Sequence, residues 1–169
     1  VQEDTIFRVY SMTKPITSVA LMMLFEEGRF QLNDPVSRFI PSWMGQQVWI
    51  SGDGDDMETR EPTSPMTMRH VLSHTSGLTY GTGLFPSEHP VDKFYDKVGV
   101  NRDAGETIES FAEKLSTVPL RYDPGTQWCY SLATDVCGCL VEFISGVPFA
   151  QFLQERIFDP LGMTDTSFV

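Results

Sequence analysis

Basic residues are scarce in this sequence: 12 Lys and Arg stand against 23 Asp and Glu, a formal net charge of -11. A chain of that sign repels a phosphate backbone, and no Lys/Arg stripe interrupts it, so no nucleic acid partner is expected. Cysteine is rarer still. Cys129, Cys137 and Cys139 form neither a C-x-x-C pair nor a zinc-ligand array, and an odd count cannot complete a disulfide framework. On a helix Cys137 and Cys139, two positions apart, point away from one another. The three thiols read as reduced core residues, which favours a reducing, cytoplasmic compartment. A long hydrophobic run is also missing: the longest, Val19 to Phe25, falls well short of the roughly 18 residues that cross a bilayer, so no membrane span is expected. Nor does a Lys/Arg cluster precede an apolar stretch and a small-residue cleavage site, so no secretory signal is read. The chain opens on Val1 rather than Met and stops at Val169 just after a segment of helical character, so both ends read as cuts.

What is present suits one globular domain. At 169 residues and 41% hydrophobic, the chain is long enough to bury roughly two-thirds of the surface its unfolded form exposes. Met12 to Glu27 is apolar nearly all round and is followed by Gly28, a good helix stop, which predicts a buried central helix. Pro15 is harmless only in a first turn, so that helix starts close to Ser11 or Met12. Asn33-Asp34-Pro35 predicts a turn, followed by a short amphipathic piece that stops at Pro41. Residues 51–65, crowded with Ser, Gly, Asp and Pro, read as an exposed loop. A helix capped by Thr67 runs through Val71 and Leu72 and ends before Gly77. Residues 77–104 show no clear period and read as a long irregular excursion of the kind that walls a binding site. Further helices are expected over Thr107 to Leu115, Leu132 to Ile144 with Ser131 as cap and Gly146 as stop, and Phe149 to Phe158, with a Pro124-Gly125 turn between the first two. There is no internal repeat and no low-complexity tract.

Two places carry possible chemistry. In Ser11-Met12-Thr13-Lys14 the first and last residues share one face of a helical first turn, so the Lys14 amine comes within reach of the Ser11 hydroxyl. Burial against the apolar helix is expected to lower the Lys14 pKa and free the amine, while the helix N-terminus favours an anion developing at Ser11. By itself this is a two-point pattern of a kind that arises often by chance, and a capping Ser and a surface Lys explain it better. Tyr130-Ser131 stands at the mouth of a predicted helix after a tight turn, where a phenol can project into a cleft. His70 and His74, four apart, have metal-ligand spacing, but no Glu follows His70 in an H-E-x-x-H pattern and no third ligand is evident. Both read as hydrogen-bonded helix-end residues, and no metal or other cofactor is expected.

Five blocks, in order, carry a resemblance. They are Ser11-Met12-Thr13-Lys14 with its apolar helix and Glu26-Glu27-Gly28; Leu32-Asn33-Asp34-Pro35-Val36; His70 through Leu78; Pro124-Gly125-Thr126 through Tyr130-Ser131; and Ile157 through Met163. Together they resemble the serine β-lactamase and penicillin-binding-protein superfamily of class C type, across nearly the whole sequence. The resemblance implies an α+β, β-lactamase/transpeptidase-like fold, with residues 1–169 as a partial domain: mainly the helical region, the N-terminal strands and most of the antiparallel sheet lying outside it. It also implies that Ser11 is acylated by the substrate carbonyl, that Lys14 helps to deprotonate it, and that Tyr130 shuttles the proton to the leaving group and later activates water. Lys14 and Tyr130 share the base role, and the sequence does not apportion it between two coupled groups.

Two departures from the family pattern sharpen the expectation. Where the β-lactamases and D,D-peptidases carry an Asn two positions after the tyrosine, to bind the substrate amide, this chain has Leu132. An apolar side chain there offers an amide nothing, so carboxylic esters with simple acyl groups are the expected small-molecule substrates, as for the esterases of the superfamily. Trp128, Tyr80 and Phe85 are candidate apolar wall residues beside Leu132, ordinary core packing being the alternative for each. The later strand with Lys or His, Ser or Thr, then Gly, which completes the oxyanion hole in that superfamily, does not occur before Val169. The competing readings are a β-lactamase or D,D-peptidase acting on amides, and a catalytically silent binding or scaffold relative. The sequence sets no oligomeric state.

Overall fold

The computed structural model describes residues 1–2, 4–83, 86–100 and 105–168. A 3-10 turn at Tyr10–Met12 leads straight into helix α1, Thr13–Glu26. The run Ala20-Leu21-Met22-Met23-Leu24 consists of strong helix formers, and Pro15 falls in the first turn as its missing N–H requires. Gly28 takes a left-handed φ of 73° and ends the helix, its N–H donating to the Phe25 carbonyl at 2.9 Å. The expectation of a helix buried all round needs correcting. Thr17, Ala20, Leu21 and Leu24, spaced three and four apart, form its buried stripe, while Val19 is 53% exposed on the opposite side.

The stripe packs along helix α5, Ala133–Ser145, which has nine buried positions and a left-handed Gly146 as its stop. Residues such as Leu21 and Leu140, with no exposed surface, each contribute about 1.5–3 kcal/mol by leaving water. Leu132 occupies the position before this helix, and the capping hydroxyl comes from one residue earlier: Ser131 Oγ accepts from the Ala133 N–H at 3.3 Å. A short helix, α6, follows at Phe149–Leu153 and continues into a π turn at Gln154–Phe158, so the predicted final helix is present in two parts.

Three elements were not anticipated. Val48–Ser51 (β1) and Glu58–Arg60 (β2) pair antiparallel with a bulge between Trp49 and Ser51, β1 ending where the span read as loop begins and β2 lying inside it. Residues 77–104, read as irregular, contain helix α3, Pro90–Lys97. The other two helices stand near their expected spans: α2 at Met68–Leu72 behind the Thr67 cap, and α4 at Ile108–Ser116, whose first turn is closed by Thr107 Oγ1 accepting from the Ser110 N–H at 3.2 Å.

One arrangement positions the site. Residues 74–79 run beside residues 121–132, joined by backbone hydrogen bonds from Arg121 to Gly77 (2.8 Å), Gly125 to Thr75 (2.7 Å), Cys129 to His74 (2.8 Å) and Leu132 to Thr79 (3.1 Å). Gly77 is required there. Its φ is 85°, and a Cβ would stand 2.2 Å from the Tyr122 carbonyl oxygen. The turn at 123–126 is tied to the hairpin side by Arg60, which grips the Asp123 carboxylate, and by the Thr63 N–H at 2.8 Å from Asp123 Oδ1. These donors hold the Asp123 carboxyl well below the usual carboxylate range. The three cysteines are free thiols, Cys137 and Cys139 buried within α5 and Cys129 partly buried.

Candidate active site

Three segments far apart in the chain meet at the start of α1. Ser11 Oγ lies 2.7 Å from the Tyr130 hydroxyl. The Lys14 ammonium stands 4.8 Å from the centre of the Tyr130 ring and 5.5 Å from that of Tyr80, and donates to the Tyr80 hydroxyl at 3.3 Å. The Tyr80 and Tyr130 rings are stacked 5.4 Å apart and inclined by only 9°. Immediately before Ser11, Tyr10 adopts a left-handed φ of 43°, a conformation that a bulky residue holds only where its surroundings enforce it.

The electrostatics correct one expectation. Burial does pull the Lys14 pKa down, but hydrogen bonds with Tyr130 and Tyr80 outweigh it, and the net direction is up. The Tyr130 pKa moves the other way, lowered first by its hydrogen bond with Ser11 and then by that with Lys14. The proton therefore stays on the lysine, and the phenol is the acidified member of the pair. Chemically, such an arrangement lets a phenolate, held by an adjacent cation, take the proton from a serine hydroxyl.

Ser11, Lys14 and Tyr80 open onto a cavity of about 690 Å³ whose wall includes Ile108, Phe111 and Phe149. The residues expected around the site fall differently. Tyr80 is present, but its hydroxyl is engaged with Lys14, so it is more than an apolar wall. Trp128 is 67% exposed, with its ring set against those of His74 and Tyr130. Leu132 is 2% exposed and belongs to the core, because its backbone is bonded to Thr79 at the buried start of α5; it does not line the cavity. Phe85 lies outside the described residues. Residue-level reading missed the polar role of Tyr80, for which a tyrosine in a glycine-rich stretch gives no signal. The histidines behave as expected at helix ends: His70 Nδ1 accepts from the Thr67 N–H at 3.2 Å, and His74 Nδ1 is 3.3 Å from Ser131 Oγ. Among the described residues no group of three or more potential metal ligands comes together.

The beta-lactamase family model matches residues 1–169. The chain belongs to the beta-lactamase family. Esterase EstB of Burkholderia gladioli, a relative, is 36% identical over 177 residues, covering 99% of this chain and 40% of EstB. Among solved structures, unliganded simvastatin synthase (LovD) from Aspergillus terreus superposes with a TM-score of 0.74 at 34% identity, over 96% of this chain and 39% of LovD. A beta-lactamase/D-alanine carboxypeptidase from Yersinia pestis gives a TM-score of 0.64 at 26% identity, over 95% of this chain and 40% of that protein. This member of the beta-lactamase family thus spans about 40% of the length of these relatives. Its fold is β-lactamase/transpeptidase-like, represented in the described residues by helices around α1 and α5 and one two-stranded sheet.

Proposed function

We propose that the protein is a serine hydrolase that acts on carboxylic esters through an acyl-enzyme, with Ser11 as nucleophile and the Lys14–Tyr130 pair as general base and acid. The observation that carries this reading is the 2.7 Å approach of the Tyr130 hydroxyl to Ser11 Oγ beside a lysine held protonated. In the first half-reaction Ser11 Oγ bonds to the ester carbonyl carbon as its proton passes to the Tyr130 oxygen. The carbonyl–alkoxide bond then breaks, and the departing alcohol takes that proton. In the second half water attacks the acyl-enzyme, Tyr130 again receives a proton, and Ser11 leaves with it as the acid is released. Lys14 keeps its charge throughout and stabilises the phenolate.

Esters are favoured over amides because the cavity beside Ser11 is walled mainly by apolar groups, which offer an amide side chain few hydrogen-bond partners. A buried amide left without its partner loses about 1–3 kcal/mol. Similarity to EstCE1, a hydrolase with promiscuous acyltransferase activity, supports a variant of the same chemistry in which an alcohol, rather than water, resolves the acyl-enzyme. The test is to treat the full-length protein with a fluorophosphonate, map the label, and compare turnover of a short-chain nitrophenyl ester with that of a cephalosporin. Labelling at Ser11 alone, with the ester much the better substrate, is expected. A label elsewhere, or none, removes the nucleophile; equal kcat/KM for the two substrates removes the ester preference.

A further inference from the structure

The reading of Tyr130 as base requires its phenol to be held against Ser11, yet Tyr130 sits in an irregular segment just before α5, where backbone is least constrained by its own hydrogen bonds. His74 stands behind it. The imidazole lies against the Tyr130 ring with 5.1 Å between centres and a 37° tilt. Its Nδ1 is 3.3 Å from Ser131 Oγ and its Nε2 is 3.5 Å from Thr134 Oγ1, while its carbonyl accepts from the Cys129 N–H at 2.8 Å. One residue thus grips the chain immediately before Tyr130, immediately after it, and one helical turn beyond. Ser131 and Thr134 are both buried, so these hydroxyls are not offered to solvent. His74 does this from a left-handed backbone with φ 56°, the only described non-glycine residue besides Tyr10 to have a positive φ.

We propose that His74 is a positioning residue that clamps the 129–134 segment and so sets the Tyr130 phenol against Ser11 and Lys14. The inference rests on the proposed role of Tyr130. The imidazole suits the task in its neutral form, with one ring nitrogen donating and the other accepting, because each hydroxyl can take either part. Burial, and then the positive charge of Lys14, lower the His74 pKa and keep it in that form. The groups facing Tyr130 are Ser11 and Lys14 from the start of α1, Tyr80 from the loop after Leu78, His74 and Trp128 from its own side, and Asp135 in the first turn of α5, whose charge opposes ionisation of the phenol.

The test uses the full-length protein with His74→Gly, which keeps the left-handed backbone at ease while deleting both side-chain grips, and His74→Asn, a shorter side chain that tolerates the same backbone and restores one polar amide. For His74→Gly we expect kcat on a nitrophenyl ester to fall about tenfold or more while KM changes by less than about twofold, since displacement of a catalytic group acts on the chemical step. His74→Asn should recover part of that loss. The second measurement needs no turnover: the ζ-carbon resonance of Tyr130, assigned through Tyr130→Phe, is titrated by NMR. In His74→Gly its midpoint should rise as the phenol drifts from Lys14. A wild-type kcat together with an unmoved Tyr130 titration would overturn the proposal. If wild type itself fails to label at Ser11, the serine-hydrolase reading falls, while the Tyr130 titration still decides whether His74 holds the phenol. Should His74→Gly not fold, Thr134→Val, which removes one grip only, must raise the same midpoint or the proposal is refuted.

Discussion

The Tyr130 phenol has a hydroxyl on one side and a cation on the other, and both draw it toward the phenolate. This assigns a direction to the pH dependence. A rate that needs the phenolate climbs as pH rises through the lowered Tyr130 value and levels above it; the raised Lys14 value puts the loss of the cation further up the scale. In Lys14→Met the phenolate loses its counter-charge, so the acidic limb of kcat/KM should move to higher pH and the rate near neutrality should fall by roughly 10²–10⁴-fold, the usual worth of a positioned base. A pH–rate profile on a nitrophenyl ester reads both effects. A limb that stays in place in Lys14→Met would separate the lysine from the base. The assignment belongs to the pair, because two groups this close titrate together.

At the scale of elements, what was legible followed local chemistry. The apolar run and Gly28 announced α1, and Gly146 announced the end of α5; Thr67 marked the start of α2. The hairpin was hidden because β1 is four residues long and its partner is the polar, exposed Glu58–Arg60, which has no alternation to detect. Helix α3 was hidden because Pro90 and its neighbours resemble the glycine- and proline-rich stretch before them, and eight residues hold barely two turns of pattern. Of the site, Ser11 and Lys14 were local and visible. Tyr130 was visible locally as a phenol at a helix mouth, but its pairing with Ser11, 119 positions away, entered only through family resemblance, since no spacing rule connects them. The seam between 74–79 and 121–132 lies beyond any local signal, yet it holds the site together, and Gly77 is its tightest point. Gly77→Ala adds left-handed strain of about 1–3 kcal/mol before the clash with the Tyr122 carbonyl is counted. We expect a clear drop in the urea midpoint with an unchanged slope, whereas a neutral result would show that the seam can part.

Over the whole molecule, apolar surface is unevenly distributed. Ile6, Phe7, Tyr10, Met12 and Val19 are exposed along the N-terminal segment and the outer side of α1, and Phe168 is exposed near the other end of the chain. A second cavity, of about 640 Å³, opens between the N-terminal segment and residues 165–168. We propose that the 169 residues are the helical part of a larger domain whose sheet covers this face and supplies a second oxyanion donor. The chain alone should then bind a hydrophobic dye, show weak near-ultraviolet dichroism and hydrolyse esters poorly, because losing one oxyanion donor costs roughly 10²–10³ in kcat. A monomeric, well-packed and fully active 169-residue chain would refute this.

The same packing gives α5 a chronometer. Burial pushes the Cys137 thiol up to about 12 and Cys139 higher still, so neither presents a thiolate to a dissolved electrophile while the helix is seated. Cys139 also borders the cavity beside Ser11, but Cys137 does not, so alkylation of Cys137 records a departure of α5 from its seat against α1, and the rate at which its label accumulates reports on how readily that helix comes loose. Cys129, half-buried in the segment that carries Tyr130, keeps a separate count for the site.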